Sequence, residues 1–334
     1  HTRFLPVLVG SEMCIRDRLS TKRQVALKLM TAQKVVSSKA HARFQREVEL
    51  TARLDHPSIA RIYDSGIHRG MYYYAMELID GEPLDHYVKA KTLSREQILV
   101  LMKTICQAIH YAHLHGVIHR DLKPSNIIIG RDGQPHVVDF GLARTFLEES
   151  EAITISVEGE IAGTPAYMSP EQAAGRHAQI DTRTDVFSLA VILYELLTGQ
   201  SPHDLSGSMF DILNRIIQGK IRRPREITKS IDRELEAILL KALAQSQKDR
   251  YASAGDLQDD IENYLNGEPL RARAPTTLYF LRKRVRKYRV QVGLGLAASL
   301  ILMGIILAAY TRIVAERAIS QAKDVELKLK SEQL

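Results

Sequence analysis

Apolar and polar residues alternate with a two-residue period near the start of the chain. Residues 24–30 follow this period and predict a half-buried strand. Residues 59–65 and 71–79 do the same and predict a β-hairpin. Between them, residues 37–54 carry apolar side chains on one face of a predicted helix. The first part of the chain is therefore predicted to be a small sheet with one helix.

The period becomes that of helices after Gly81. Residues 181–198 form the most apolar of these runs, and Ser94 with Gln97 resembles a capping box at the start of another. Further helices are predicted at residues 84–90, 94–115, 209–218, 231–244 and 253–265. Short strands are predicted at residues 127–129 and 136–138. The second part of the chain is therefore mainly helical.

A third pattern is an uncharged apolar run near the end of the chain, from Val292 to Tyr310. As a helix it would be roughly 28 Å long, which is enough to cross the hydrocarbon core of a bilayer. The alternative is a buried core helix, but a cluster of basic residues at one end disfavours it. The run predicts one transmembrane helix over residues 290–311. Residues 312–334 then form a charged helical tail, with only a weak coiled-coil pattern.

The excess of positive charge is confined to one short part of the chain. The chain has 334 residues, 25% of them charged, and a formal net charge of +7. Eight of its 46 Lys and Arg lie between Arg271 and Arg289, and without them 38 cations face 39 acidic residues. The remainder is about neutral, so the composition does not indicate a nucleic-acid partner. Two cysteines, Cys14 and Cys106, provide no disulfide framework and fit a reducing compartment.

The strongest chemical signal is the octet HRDLKPSN at residues 119–126, which lies between an apolar helix and a strand. It offers the carboxylate of Asp121, the ammonium group of Lys123 and the amide of Asn126 on one loop. Phosphoryl transfer needs a group that accepts a hydroxyl proton, a cation near the γ-phosphate and an oxygen ligand for Mg²⁺. The octet matches the catalytic loop of protein kinases.

With this octet, residues 23–267 resemble bacterial serine/threonine protein kinases of the eukaryotic-like (Hanks) type that carry a transmembrane helix after the kinase domain. The resemblance implies an α+β fold with two lobes, a small β-sheet lobe with one helix and a large helical lobe. The predicted divisions are a non-family N-terminal segment 1–18, an N-lobe 19–80, a C-lobe 81–267, a basic linker 268–289, a transmembrane helix 290–311 and an extracytoplasmic tail 312–334.

The resemblance also assigns nucleotide-binding residues. Lys28, in the sequence Val-Ala-Leu-Lys, corresponds to the strand lysine that binds the α- and β-phosphates, and Glu47 to its ion-pair partner on the helix. The backbone of Glu77 and Ile79 would bond adenine, although a plain strand end is equally compatible with these residues.

The same resemblance implies the catalytic and metal-binding residues. Asp121 would be the catalytic base, and Lys123 would contact the γ-phosphate. Asn126 and Asp139, the latter in the sequence Asp-Phe-Gly, would bind Mg²⁺. Lysine at position 123 is typical of serine/threonine kinases rather than tyrosine kinases.

Residues 163–171, GTPAYMSPE, resemble the end of a kinase activation segment. Within it, Glu171 is expected to pair with Arg250, because a buried charge requires a partner. Asp185 is expected to brace the catalytic loop. Upstream of this stretch, Ser156 and then Thr154 are the leading candidates for an activating phosphate that would meet Arg120.

One departure from the family pattern concerns its glycine-rich loop. The three glycine positions, counted back from Lys28, fall on Pro6, Leu8 and Ser11. The sequence does not begin with Met, so the N-terminus is interpreted as truncated or replaced, with residues 10–18 as a suspected artefact of assembly. The alternative is a degraded kinase.

The leading hypothesis is a membrane-anchored enzyme that transfers the γ-phosphoryl group of ATP to Ser and Thr hydroxyls of proteins, with Mg²⁺ as cofactor and the kinase domain in the cytoplasm. The expected partners are ATP, protein substrates and the bilayer, with a homodimer left open and no nucleic acid. One alternative is a pseudokinase that docks partners without catalysis, which the missing glycines favour. A small-molecule phosphotransferase is the third hypothesis, and the segment at 163–171 disfavours it.

Overall fold

The computed structural model describes residues 12–18, 23–30, 38–68, 71–141, 165–273, 283 and 288–332. The chain divides into two units, one comprising His1–Asn266 with Leu270–Ala274 and the other Gly267–Pro269 with Pro275–Leu334. The first unit contains a small sheet with one helix, followed by a larger helical part, so the predicted α+β arrangement is confirmed.

The first sheet has four antiparallel strands in the order β1-β2-β4-β3. Their bounds are β1 Glu12–Arg18, β2 Arg23–Met30, β3 Ile62–His68 and β4 Met71–Glu77. The predicted hairpin is β3 with β4. Strand β1 was not predicted, because its sequence EMCIRDR has four charged residues and no clean alternation. It nevertheless pairs with β2 along its whole length.

Helix α1, Ser38–Ala52, lies against this sheet as its amphipathic pattern predicts. Phe44 and Val48 on its apolar face are buried in one cluster with Tyr72, Tyr74 and Met76 of β4. The ring of Phe44 meets that of Tyr72 edge to face at a centroid distance of 4.9 Å. This packing removes large aromatic surfaces from water and holds the helix on the sheet.

The larger part is mainly helical, as predicted. Its helices are α2 Leu84–Lys91, α3 Arg95–Leu114, α4 Pro170–Ala173, α5 Thr182–Thr198, α6 Met209–Ile217, α7 Pro224–Ile227, α8 Arg233–Ala242 and α9 Ala254–Leu265. A three-stranded antiparallel sheet comprises β5 Gly81–Pro83, β6 Ile127–Gly130 and β7 Pro135–Val137. Strand β5 was not predicted, since three residues carry no periodic signal. The predicted capping box of Ser94 and Gln97 is confirmed.

Helix α5 lies at the centre of the helical part. Every residue from Thr184 to Tyr194 is buried, as expected for a helix that is apolar on nearly all sides. Asp181 caps its N-terminus by accepting a hydrogen bond from the amide of Arg183, and Gly199 ends it in the left-handed conformation with φ 72°. The buried side chains of α3, α5, α8 and α9 form one core cluster.

The second unit is dominated by helix α10, Arg289–Glu332. Within it lies the stretch Gly293–Gln321, in which a window of 18 residues has a mean hydropathy of 2.1; the stretch is long and apolar enough to cross a membrane. The predicted span and residues 312–332 of the predicted tail lie in one continuous helix, and no proline or glycine interrupts the chain between residues 305 and 332.

Candidate active site

The backbone of the loop of residues 119–123 is held by the side chain of Asp185 of α5. The Asp185 carboxylate accepts hydrogen bonds from the backbone amides of His119 at 2.8 Å and Arg120 at 2.9 Å. His113 Nε2 of α3 lies 2.7 Å from the same carboxylate. Arg120 adopts a left-handed backbone with φ 63°, an uncommon conformation for a non-glycine residue. These three contacts offset the strain and set the direction of the loop.

The charge on Asp185 is stabilised although the residue is fully buried. Burial by itself would raise the pKa of its carboxyl group, but the contact with His113 and the surrounding histidine and amide groups lower it. Burial lowers the pKa of the neighbouring His119. These shifts favour an ionised Asp185 carboxylate and a neutral His119 imidazole beside the loop.

Asp121, Lys123 and Asn126 converge as the octet predicts. Lys123 Nζ lies 3.1 Å from Asp121 Oδ2. The amide nitrogen of Asn126 donates to the backbone oxygen of Asp121 at 2.8 Å and to its Oδ2 at 3.3 Å. Because the Asn126 nitrogen faces these acceptors, its side-chain oxygen is the atom directed elsewhere. This orientation suits a metal ligand.

Lys28 and Asp139 meet across the junction of the two parts. Lys28 Nζ donates to Asp139 Oδ2, and the hydroxyl group of Tyr74 donates to Oδ1. Lys28 and Tyr74 are direct partners in the register of β2 with β4, so both side chains stand on one face of the sheet. Asp139 has a left-handed backbone with φ 62°. Its carboxylate is thus held by two donors from adjacent strands.

The expected ion pair between Lys28 and Glu47 is not formed among the described residues. Lys28 is paired with Asp139, while Glu47 Oε1 lies 3.3 Å from Arg120 Nη1. The left-handed turn at Arg120 directs its guanidinium towards α1, where it meets the half-buried Glu47. The assignment of Glu47 to the nucleotide site therefore stays a prediction.

The predicted adenine contacts lie at the end of β4. The amide of Glu77 donates to the backbone oxygen of Arg61 at 2.8 Å. Ile79 follows the strand and is partly buried against the cluster under α1. The assignment of these two backbones to adenine also stays a prediction.

The predicted pairing of Glu171 with Arg250 is confirmed. Arg250 Nη1 and Nη2 donate to the two carboxylate oxygens of Glu171 at 2.9 and 2.8 Å, and Thr184 Oγ1 adds a third hydrogen bond at 2.8 Å. Next to Glu171, Gln172 Nε2 donates to the backbone oxygen of Arg120 at 2.7 Å. These contacts tie α4 to both the core and the catalytic loop.

Several residues singled out from the sequence lie outside the described part of the chain. They are Pro6, Leu8 and Ser11 of the glycine-loop positions, the hydroxyl-bearing Thr154 and Ser156, and residues 163 and 164 of the activation segment.

The buried carboxylate of Glu171 leads to an expected pH dependence. Burial by itself would raise its pKa, but the hydrogen bonds and charge of Arg250, with Thr184, lower it from 4.5 to about 2. Because the folded pKa lies below the unfolded one, this contribution is complete above the unfolded value and is lost as the pH falls through 4.5 towards 2. We expect the free energy of unfolding to decrease by about 3 kcal/mol from this group between roughly pH 5 and pH 2.

Urea unfolding followed by circular dichroism over a pH series measures this effect. The Glu171→Gln variant should lack this part of the slope. An identical slope in the variant and the parent would show that Glu171 does not contribute it.

Three residues that contact the site were not predicted from the sequence: Tyr74, His113 and Gln172. Tyr74 had a usable signal, since alternation along β4 places it on the covered face of the sheet. His113 and Gln172 gave none, because their partners are 72 and 52 residues away in the sequence.

Comparison with known proteins agrees with this geometry. The family model for the protein kinase domain matches residues 12–260, which is about three quarters of the chain. The chain belongs to the protein kinase family. The match begins at β1, inside the segment that the sequence analysis had placed outside the family.

Two curated relatives carry serine/threonine-kinase names. A probable serine/threonine-protein kinase of Streptomyces coelicolor is 36% identical over 257 residues, covering 75% of this chain and 37% of the relative. Serine/threonine-protein kinase PknB of Mycobacterium tuberculosis is 33% identical over 264 residues, covering 78% of this chain and 41% of the relative. The chain thus spans about two fifths of the length of these relatives.

A solved structure has the same fold. The crystal structure of the Mycobacterium tuberculosis PknI kinase domain superposes with a TM-score of 0.60 at 26% identity, covering 78% of this chain and 94% of that chain.

Proposed function

We propose that this chain is a serine/threonine protein kinase that transfers the γ-phosphoryl group of ATP to hydroxyl groups of protein substrates. The observation that carries the proposal is the convergence of Asp121, Lys123 and Asn126 on one braced loop, with Lys28 and Asp139 joined at the adjoining sheet. The names of the curated relatives support the substrate class.

Each side chain has a distinct part in the proposed reaction. The hydroxyl oxygen of the substrate forms a bond to the γ-phosphorus, the bond to the bridging oxygen of ADP breaks, and the hydroxyl proton passes to Asp121. Lys123, 3.1 Å from Asp121, offsets charge on the transferred group. Lys28 would contact the phosphates and hold the nucleotide in place.

Protein kinases use ATP with Mg²⁺, and the residues present fit this metal. Asp139 offers a carboxylate, and Asn126 offers the amide oxygen left over when its nitrogen bonds Asp121. These are the hard oxygen ligands that Mg²⁺ prefers, and we assign them to it. When bound, the ion would neutralise charge on the phosphate oxygens.

The assay that tests the function is transfer of label from γ-labelled ATP to a generic basic protein, followed by identification of the phosphorylated amino acid. Label on serine or threonine supports the proposal. The competing function is a pseudokinase docking module, favoured by Pro6, Leu8 and Ser11 at the glycine positions. In that case the chain would bind partners, and no label would be transferred.

We further propose that the kinase part is anchored to a membrane, with a basic linker at 268–289, a span at 290–311 and a tail at 312–334. One helix of suitable length and hydropathy supports the anchor. Six Lys and Arg lie between Arg282 and Arg289, directly before the span, whereas only Arg312 and Arg317 follow closely. The positive-inside rule then orients the kinase part towards the cytoplasm.

The expected result is that an alkaline phosphatase reporter, active only outside the cytoplasm, is on when fused after Leu334 and off when fused before Arg282. A reporter active only in the cytoplasm should give the reverse pattern. A phosphatase reporter that is off after Leu334, with the cytoplasmic reporter on at the same position, would mean that the proposed orientation is wrong.

A further inference from the structure

The hydroxyl group of Tyr74 contacts Asp139, one of the two proposed ligands of Mg²⁺. Tyr74 is 1% exposed, and its ring packs in the cluster beneath α1 with Phe44 and Val48. Its hydroxyl donates to Asp139 Oδ1, whereas Lys28 donates to the other oxygen. A buried hydroxyl needs a partner, but an apolar cluster would accept phenylalanine equally well. The hydroxyl group is therefore an addition that serves the contact with Asp139.

The register of the sheet defines the position from which Tyr74 reaches Asp139. Tyr74 on β4 is paired directly with Lys28 on β2, so both side chains reach Asp139 from neighbouring strands of one sheet. Asp139 belongs to the loop after β7 and has a left-handed backbone. Two donors on fixed strands hold the side chain of a residue whose own backbone is strained.

The two donors differ in what else they must do. In the proposed function, Lys28 also contacts the phosphates of the nucleotide, so its hydrogen bonds are divided between the phosphates and Asp139. Tyr74 has one hydroxyl proton and no other assigned task. An ionised carboxylate offers about four acceptor sites, so a single hydrogen bond from Tyr74 leaves lone pairs for a metal ion.

We propose that Tyr74 is a positioning residue, whose hydroxyl group holds the carboxylate of Asp139 in the orientation that binds Mg²⁺ with the nucleotide. This inference rests on the proposed function, because it concerns the metal site of the same reaction. Tyr74 itself does not contact the reacting atoms. Partners of this kind, which orient a metal ligand, typically change metal affinity by about 10- to 100-fold when removed.

The test is the affinity of the full chain in detergent for ADP, measured by isothermal titration calorimetry with MgCl₂ and with EDTA. Tyr74→Phe removes only the hydroxyl group and keeps the ring in the cluster. We expect its ADP affinity in MgCl₂ to fall about 10-fold, with the affinity in EDTA equal to that of the parent. Tyr72→Phe is the matched control, since Tyr72 is on the same strand and the same face and packs on Phe44. It should match the parent in both conditions.

A double-variant cycle with Asp139→Asn sharpens the test. If Tyr74 acts through Asp139, adding Tyr74→Phe to Asp139→Asn should cause no further loss in MgCl₂. Equal affinity of Tyr74→Phe and the parent in MgCl₂, tighter binding by the variant, or an equal loss in EDTA would each overturn the inference. A parent whose ADP binding does not respond to Mg²⁺ would contradict the proposed function itself, and the inference with it.

Discussion

Replacing Asp121 with asparagine is expected to reduce label transfer from ATP by about 10²- to 10⁴-fold, the range that a general base contributes. Binding of ADP with Mg²⁺ should stay close to that of the parent, because Asp121 is assigned to the proton of the hydroxyl group and not to the metal. The Asn126 nitrogen still finds the backbone oxygen of residue 121 at 2.8 Å, so the loop should keep its shape.

The contrasting variant is Asp139→Asn. It should lose transfer and also lose the gain in ADP affinity that Mg²⁺ provides, since asparagine offers a neutral oxygen in place of a carboxylate. Asp80→Asn is the surface control, because Asp80 is 69% exposed and its partner Arg131 is 82% exposed. Transfer by Asp121→Asn at the parent rate would contradict the assigned base, whatever the control shows.

Removing the cation from the buried pair of Glu171 and Arg250 is expected to cause the largest loss of stability. Arg250→Met should lower the free energy of unfolding by about 3–5 kcal/mol, because it leaves the carboxylate of Glu171 buried without its partner. Both side chains are 3% exposed or less, and Arg250 also donates to the backbone oxygens of Ala244, Arg183 and Gln245. Urea unfolding at pH 7, followed by circular dichroism, measures the loss.

Two further variants test the cause of this loss. The double replacement Glu171→Leu with Arg250→Met should be less destabilised than Arg250→Met alone, since no unpaired charge is then buried. Arg61→Ala breaks an exposed pair with Asp55, whose side chains are 58% and 76% exposed, and should cost less than about 1 kcal/mol. If Arg250→Met unfolds at the same urea concentration as the parent, the pair is not what holds α4 to the core.

Much of the fold could be predicted because its signals are local. Helices such as α3 and α5 repeat apolar residues with the helical period over many turns, and their ends carry recognisable caps. Strand β1 and the three-residue strand β5 were not predicted, because their sequences lack alternation of apolar and polar residues. They are strands because they pair with the neighbouring strands β2 and β6. The difference is between elements specified by their own residues and elements specified by their partners.

In the site, the residue types and their order along the chain specify which chemical groups are present. The octet at residues 119–126 brings Asp121, Lys123 and Asn126 together because they lie within six residues of one another on a short loop. Glu171 and Arg250 could also be paired from the sequence, since the resemblance implied that both belong to a buried structure. In these cases, spacing along the chain or the need to compensate a buried charge limited the number of partners that each residue could have.

The partners of the remaining polar groups depend on the three-dimensional fold. Lys28 could pair with either Glu47 or Asp139, and it pairs with Asp139, which is 111 residues away, while Glu47 meets Arg120. Tyr74 joins the same carboxylate because the sheet register places it opposite Lys28. Hydrogen bonds and ion pairs act over a few ångströms, so the choice among partners depends on backbone positions that no local pattern encodes.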